Sequence, residues 1–216
     1  MARASRMVFI STSKGVEGRV YNFEWFMGLA ISQLRKSIRS LHSEIRKSGI
    51  HNVLEVSRKS EDEIGNKLSA FNLLVEINGI KSSVESLYHG SKVFDGDIKF
   101  EECIDMTPGD SRKFIHEVVK KDGLTLSGFE FNGLKFILST KSMCYDYIYI
   151  LGLVQNKEVG NELIKYDCFT DIVFNQNKSV ACQARTCAMY KYLRENNLID
   201  KYLNNPFSFD YLYKAY

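Results

Sequence analysis

Residues 82–94 read SSVESLYHGSKVF, and the predicted fold is built around this stretch. At 3.6 residues per turn, one face of a helix over these residues collects an acid, a phenol, an imidazole and an amine. The opposite face carries apolar side chains that can anchor the helix to a core. The polar face consists of Glu85, Tyr88, His89 and Lys92. The sequence therefore predicts an anchored helix that presents four reactive groups together.

Glu85 also has a purely structural interpretation. Ser82 precedes it by three residues, which is the spacing of a capping box. In that motif the serine and glutamate side chains each bind a free N–H group of the first helical turn. From spacing alone, Glu85 can be a helix cap or a catalytic group, and both roles stay open.

The composition is that of an ordinary globular protein. The chain has 216 residues, of which 44% are hydrophobic and 25% charged, enough for one domain with a complete core. Five cysteines without a C-x-x-C pair predict free thiols in a reducing compartment and neither a disulfide framework nor a zinc site. No apolar run reaches the roughly 18 residues of a membrane span. We expect a cytoplasmic protein without membrane contact, metal or cofactor; no sequence signal indicates an oligomeric state.

Positive charge is concentrated at the N-terminus. Residues 1–59 contain eleven Lys and Arg and four Asp and Glu, a net charge of +7, although the whole chain carries +3. A helix predicted over residues 22–47 holds much of this charge and is either a solvated face or a surface for nucleic-acid phosphates. At the edge of its apolar stripe, Lys36 is predicted to be partly buried, with a lowered pKa that suits a nucleophile.

Two Asn-Gly pairs, at residues 78–79 and 132–133, predict β-hairpins. Thr107-Pro108 predicts a helix start, since threonine caps and proline suits the first helical position. Short strands are expected at residues 7–10 and 51–57, and further helices over 143–155, 158–165 and 178–196. The predicted class is α+β: a single, mostly helical domain around a few short, mainly antiparallel strands.

The predicted organisation has three segments within one globular unit. Residues 1–52 form an N-terminal strand and basic helix packed on the body. Residues 53–197 form the catalytic core, and residues 198–216 form an aromatic tail.

The order of several motifs resembles that of a known family. LSAF at residues 68–71, a hairpin, and VESLYHGSKVF at residues 84–94 resemble the NADAR (YbiA-like) family, whose pattern is like L-S-N-F, a hairpin, then T-x-E-H-x-x-Q-x-x-K-F. Asp167 matches the aspartate of the family's D-x-x-W-G segment. Ala70, His89-Gly90 and Thr170-Asp171 depart from these patterns.

A narrower branch is indicated by FEWF at residues 23–26, SQ at 32–33, KSI at 36–38 and FTDI at 169–172. These motifs are similar to those of NADAR antitoxins associated with DarT-type toxins. The resemblance implies that such a toxin, encoded nearby, attaches ADP-ribose to guanine in DNA and that the antitoxin, an N-glycosidase, removes it. The open alternatives are an N-glycosidase for phosphorylated riboflavin-pathway intermediates and a non-catalytic module that binds ADP-ribose or the toxin.

Site residues follow from this chemistry and from the resemblance. Cleavage at an anomeric carbon needs a carboxylate that stabilises positive charge and an acid for the leaving base, and Glu85 and Asp167 are the predicted pair. The resemblance implies Lys36 as an amine nucleophile, with Lys92 as the second candidate. We expect Glu85, Asp167 and Lys36 to meet in the fold. The predicted substrate-binding residues are Trp25, Gln33, Arg35, Tyr88 and Arg112.

Overall fold

The computed structural model describes residues 2–28, 30–175 and 181–213, and only the backbone of Lys141. Its helices and mainly antiparallel strands confirm the α+β class. The chain forms two compact units, Met1–Ser69 with Lys157–Tyr216, and Ala70–Asn156. The division into residues 1–52, 53–197 and 198–216 stays a prediction.

The elements are numbered in chain order. The strands are β1 (Ala2–Thr12), β2 (Gly15–Trp25), β3 (Val53–Glu55), β4 (Leu74–Ile77), β5 (Ile80–Ser83), β6 (Lys92–Phe94), β7 (Ile98–Lys99), β8 (Leu126–Phe131), β9 (Leu134–Ile137) and β10 (Cys168–Thr170). The α-helices are α1 (Ile31–Lys47), α2 (Glu63–Lys67), α3 (Val84–Gly90), α4 (Pro108–Asp122), α5 (Lys141–Gln155), α6 (Lys157–Leu163), α7 (Gln183–Glu195) and α8 (Ile199–Asn204). Short 3₁₀ helices span Glu101–Asp105, Leu138–Thr140 and Pro206–Tyr213.

The first unit is built on a four-stranded sheet in the order β2-β1-β10-β3. β1 and β2 form a long antiparallel hairpin, whereas β10 runs antiparallel to β1 and parallel to β3. The apolar face of α1 packs on this sheet, and the shared core includes Val8, Phe23, Ile38, Leu41 and Ile45. This arrangement leaves the basic face of α1 toward solvent.

The helix predicted over residues 22–47 is wrong at its start, because α1 begins at Ile31. Residues 22–25 instead complete β2, in register with β1 from Ala2↔Trp25 to Thr12↔Gly15. Eleven-residue strands also exceed the short strand predicted at residues 7–10. Pairing along the whole hairpin outweighs the weak local helix preference of these residues.

The second unit contains the antiparallel sheet β7-β6-β8-β9 and the hairpin β4-β5. Both predicted Asn-Gly turns are confirmed: Asn78 and Asn132 have φ values of 51° and 50°, and the following glycines also have positive φ. Such angles suit the two-residue turns that match the twist of paired strands. Helix α5 supplies the buried centre of this unit, with Ile148, Tyr149 and Leu153 fully buried.

Helix α3 differs from its prediction at both ends. Its N-cap is Ser83, whose Oγ accepts from Ser86 N at 3.1 Å, while Ser82 Oγ donates to Ile104 O. Glu85 is therefore the second helical residue, and the capping box with Ser82 is wrong. The helix ends at Gly90, where a Cβ would lie 2.8 Å from an Ile104 side-chain carbon.

Lys92 consequently lies on strand β6 and not on the helix. Lys92 pairs with Phe129 of β8. Because this strand pairing excludes a helical conformation at Lys92, α3 ends two residues before it, at Gly90. The predicted helix start at Thr107-Pro108 is confirmed in α4. The helix predicted over 178–196 begins at Gln183 in the described residues, and residues 178–180 lie outside them.

The remaining predictions concern the cysteines, the tail and membrane contact. All five cysteines are free and buried. In the tail, Phe209 and Leu212 are buried, and Arg185 Nη2 donates to Leu212 O at 3.0 Å. Within the described residues, no helix has the length and apolar character needed to cross a bilayer.

Candidate functional site

Glu85, His89 and Lys92 form a continuous array in the second unit. His89 lies between the other two side chains: its Nδ1 is 2.9 Å from Lys92 Nζ, and its Nε2 is 3.3 Å from Glu85 Oε1. The His89 and Glu85 side chains are only 9% and 16% exposed. Strand β6 thus returns Lys92 to the polar face of α3, although the predicted helical spacing is wrong.

Burial changes the ionisation of this array. Desolvation lowers the pKa of Lys92 to about 8, because the opposing attraction of Glu85 is smaller and the Arg112 charge acts in the same direction as burial. Desolvation also lowers the pKa of His89, despite the raising effect of Glu85. The result is a neutral imidazole beside an amine that titrates near neutral pH.

A cavity of about 340 Å³ opens beside this array. One part of its wall is cationic and the other part is apolar. It is lined by His89, Lys92, Phe94, Arg112, Ile115, His116, Val119 and Leu126. Positive groups over apolar walls suit a ligand that combines phosphates with a ring system.

The Tyr88 ring packs against two other aromatic rings. It stacks on Phe129 with centroids 5.3 Å apart and meets Tyr145 edge-on, also at 5.3 Å. Lys92 Nζ lies 5.5 Å from the centroid of the Tyr88 ring, so the ring also makes a cation–π contact with the amine. Stacking of Tyr88 on substrate stays a prediction.

The first unit contains the other predicted N-terminal site residues. Lys36 is exposed on α1, so the partial burial predicted for it is wrong, and its Nζ lies 6.0 Å from the Phe26 ring centroid. The Trp25 ring lies under the Arg6 guanidinium at 5.2 Å. Arg35 Nε donates to Lys59 O at 3.4 Å, and Gln33 is half-buried on α1. Their roles toward substrate stay predictions.

Asp167 lies in the first unit, immediately before strand β10. Its Oδ2 accepts from Asn52 Nδ2 at 2.9 Å, and its Oδ1 accepts from Lys191 Nζ at 3.1 Å. Lys191 is buried and also pairs with Glu195 at 3.4 Å. Asp167 therefore compensates a buried lysine charge. The proposed meeting of Asp167 and Lys36 with Glu85 stays a prediction.

Sequence patterns missed a buried polar network in the first unit. Glu55, at the end of β3, accepts hydrogen bonds from Ser57 Oγ, Thr170 Oγ1 and Ile172 N at 2.7–3.0 Å. His42 Nε2 lies 2.9 Å from Thr170 Oγ1. Period-two alternation indicated a strand here, but nothing in it marked Glu55 as completely buried.

Burial and the neighbouring Asp171 charge raise the pKa of Glu55 to about 8, against the lowering effect of its hydrogen bonds. Between the ordinary value of 4.5 and about 8, the folded chain keeps a proton that the unfolded chain loses. The stability contributed by this proton is full below pH 4.5 and disappears as the pH rises through about 8.

We expect the free energy of unfolding to fall by about 2 kcal/mol more between pH 6 and pH 8 in the wild type than in Glu55→Gln. Glutamine keeps the acceptor oxygen and cannot ionise. Urea unfolding of both proteins at the two pH values measures the difference. Parallel pH dependences would contradict the buried protonated acid.

Comparison with protein families identifies the chain. The sequence model of one protein family, the DarT1-associated NADAR antitoxins, matches residues 4–216 of the chain. The match therefore extends over both units. The chain belongs to the DarT1-associated NADAR antitoxin family. This match confirms the resemblance drawn from motifs such as those at residues 23–26 and 84–94, and it covers the basic N-terminal region as well as the core. No curated protein matches the chain in a sequence search.

Membership of this NADAR antitoxin family gives the chain an antitoxin role associated with a DarT1 toxin. Among the described residues, no group of three His, Cys, Asp or Glu side chains is arranged to hold a metal ion. The array of Glu85, His89 and Lys92 brings a carboxylate, an imidazole and an amine together beside a cavity.

Proposed function

We propose that this antitoxin is an N-glycosidase that removes ADP-ribose from ADP-ribosylated guanine in DNA. The observation that carries the proposal is the half-buried array in which His89 joins Glu85 to an amine with a pKa near 8. A carboxylate and a reactive amine beside a cationic cavity are the groups that such a cleavage requires.

Glu85 supports the bond cleavage itself. Breaking a C–N bond at an anomeric carbon develops positive charge on that carbon. A carboxylate in a site of low polarity stabilises this charge much more than it would in water. Direct hydrolysis would need only Glu85, a water molecule and a proton for the departing guanine.

Lys92 offers a covalent route. When the ribose ring opens, the guanine exocyclic nitrogen and C1 of the ribose form an imine. The neutral Lys92 amine adds to C1, and its two protons pass in turn to the guanine nitrogen as the C1–guanine bond breaks. A lysine Schiff base results, and one water molecule hydrolyses it to ADP-ribose and free lysine.

The cationic residues can recognise the rest of the substrate. Arg112 and His116 line the cavity and can bind the pyrophosphate of ADP-ribose. On α1, the exposed side chains of Lys36, Arg39 and Arg46 can contact DNA phosphates. The positive charge of Arg39 is partly compensated by Glu61, whose Oε2 lies 3.4 Å from Arg39 Nε. Asp167 stays the candidate acid for the departing guanine, and Lys36 stays the nucleophile that the family resemblance implies.

The test is release of ADP-ribose from a DNA oligonucleotide that carries ADP-ribosyl guanine, followed by chromatography. The wild type should restore unmodified guanine. Parallel reactions with Asp167→Asn examine the predicted acid, and the melting temperature of this variant separates lost chemistry from loss of the Lys191 ion pair. Absence of release by the folded wild type would refute the proposal. Turnover of phosphorylated riboflavin intermediates, or toxin neutralisation without release, would then support the corresponding alternative.

A further inference from the structure

We propose that His89 is a positioning residue that holds the Lys92 amine and relays its proton to Glu85. This inference rests on the proposed glycosidase function and assigns a role to a side chain that the motif analysis placed on the polar face without a function. It follows from three features: the order of the three side chains, the donors and acceptors they carry, and the burial of His89 Nε2.

The hydrogen-bonding capacity of lysine fixes the tautomer of His89. A protonated lysine has three donors and no acceptor. While Lys92 is protonated, the contact of 2.9 Å therefore requires His89 Nδ1 to accept from Lys92 Nζ. A neutral imidazole then carries its hydrogen on Nε2, and Glu85 Oε1 lies 3.3 Å from that nitrogen. Donors and acceptors thus run in one direction, from Lys92 through His89 to Glu85.

The Nε2 end of His89 indicates that the array is more than packing. Nε2 is buried and, among the described residues, lacks a partner with hydrogen-bond geometry. Glu85 Oε1 lies 3.3 Å from Nε2, which is within hydrogen-bonding distance, but the contact is not aligned as a hydrogen bond. Burying a donor without a hydrogen bond is destabilising, so such a group in a folded protein requires an explanation, and a catalytic role is one. A small movement of Glu85 completes the relay when a substrate enters.

The relay performs a defined proton transfer. Lys92 gives a proton to Nδ1 while Nε2 gives its proton to Glu85 Oε1. A lysine cation and a glutamate anion become a neutral amine and a carboxylic acid, while His89 stays neutral and changes tautomer. The amine is then nucleophilic, and the acid can protonate the departing guanine nitrogen. Both groups needed for the covalent route are produced in one step.

The charges around His89 favour its neutral form. Glu85 on α3 is the acidic neighbour, whereas Lys92 on β6 and Arg112 on α4 are cationic. The Tyr88 ring lies 6.1 Å away, His116 lines the same cavity, and the Cys103 thiol lies close enough to Lys92 to influence its ionisation. Protonating His89 would add a third cation near Lys92 and Arg112 and would remove the acceptor for Lys92.

Two substitutions separate relaying from packing. His89→Leu removes both contacts and should lower the rate at pH 7 by about 100-fold, as expected when a reacting group loses its position. The loss should shrink as the pH rises toward 9, since solvent then deprotonates Lys92. His89→Gln can accept from Lys92 and donate to Glu85 but cannot relay a proton easily. It should recover part of the rate and require a higher pH than the wild type.

The control is His51→Gln, which changes an exposed histidine of the first unit and should leave the pH profile unchanged. Wild-type profiles in all His89 variants would overturn the relay. So would a loss that is independent of pH and accompanied by a lower melting temperature, since that pattern is structural.

Ring-nitrogen NMR of His89 in the resting protein tests the inference without turnover. The expected state is the neutral tautomer with its hydrogen on Nε2, and a hydrogen on Nδ1 would overturn the relay whatever the activity. If the expected tautomer is found but the wild type releases no ADP-ribose, the proposed function fails. The order of donors and acceptors from Lys92 through His89 to Glu85 then still stands. The two failures are therefore distinguishable.

Discussion

Replacing Glu85 with glutamine is expected to lower the rate of ADP-ribose release from the modified oligonucleotide by about 10²–10⁴-fold. This corresponds to a loss of about 3–5 kcal/mol of transition-state stabilisation. Glutamine has the same shape as glutamate, but it can neither stabilise positive charge at the anomeric carbon nor receive the proton that His89 would deliver. Single-turnover assays with excess enzyme measure the change without interference from product release.

Stability should change little in Glu85→Gln, because the N-cap of α3 is Ser83 and Glu85 takes no part in a capping box. Equal melting temperatures would show that the loss concerns chemistry. A matched control is Glu76→Gln, which changes an exposed glutamate on β4 of the same unit and should retain wild-type release. Full toxin neutralisation by Glu85→Gln would instead favour the non-catalytic binding module.

The array of Glu85, His89 and Lys92 illustrates what local sequence patterns can and cannot predict. Spacing of three, four and seven residues brought Glu85, His89 and Lys92 to one face of a helix that was predicted to continue through residue 94. The helix stops at Gly90, and Lys92 reaches His89 from a strand instead. The grouping was predicted correctly for the wrong reason, because pairing of β6 with β8 is a long-range interaction that periodicity does not contain.

The opposite case is the N-terminal region. The sequence predicts its charge excess and the apolar stripe of α1, but it also predicts a helix at residues 22–25, which belong to β2. The partner strand β1 decides this, and its pairing depends on residues about twenty positions away. Burial is the second difference. The sequence predicts Lys36 at the edge of the apolar stripe, but its side chain is exposed, whereas Glu55 is enclosed by β10 and its flanking residues.

Replacing Lys92 with methionine is expected to abolish the adduct that borohydride traps between enzyme and substrate. It should also lower the rate of release by about 100-fold or more. A pKa of about 8 leaves roughly one tenth of the Lys92 amine neutral at pH 7, roughly 300-fold more than at the ordinary value of 10.5. Methionine keeps the apolar stem beside Tyr88 and removes the nucleophile, so packing of the second unit should be preserved.

Lys36→Met is the matched comparison, because Lys36 is the nucleophile that the family resemblance implies and is exposed on α1. Intact-mass measurement after borohydride treatment compares both variants with the wild type, and peptide mapping locates the modified lysine. If Lys92 is the nucleophile, the adduct survives Lys36→Met and maps to Lys92, while Lys36→Met weakens DNA binding in a salt-dependent way. If the adduct survives Lys92→Met and disappears in Lys36→Met, Lys36 carries the covalent step. Release without any trapped adduct in the wild type would leave direct hydrolysis assisted by Glu85 as the mechanism.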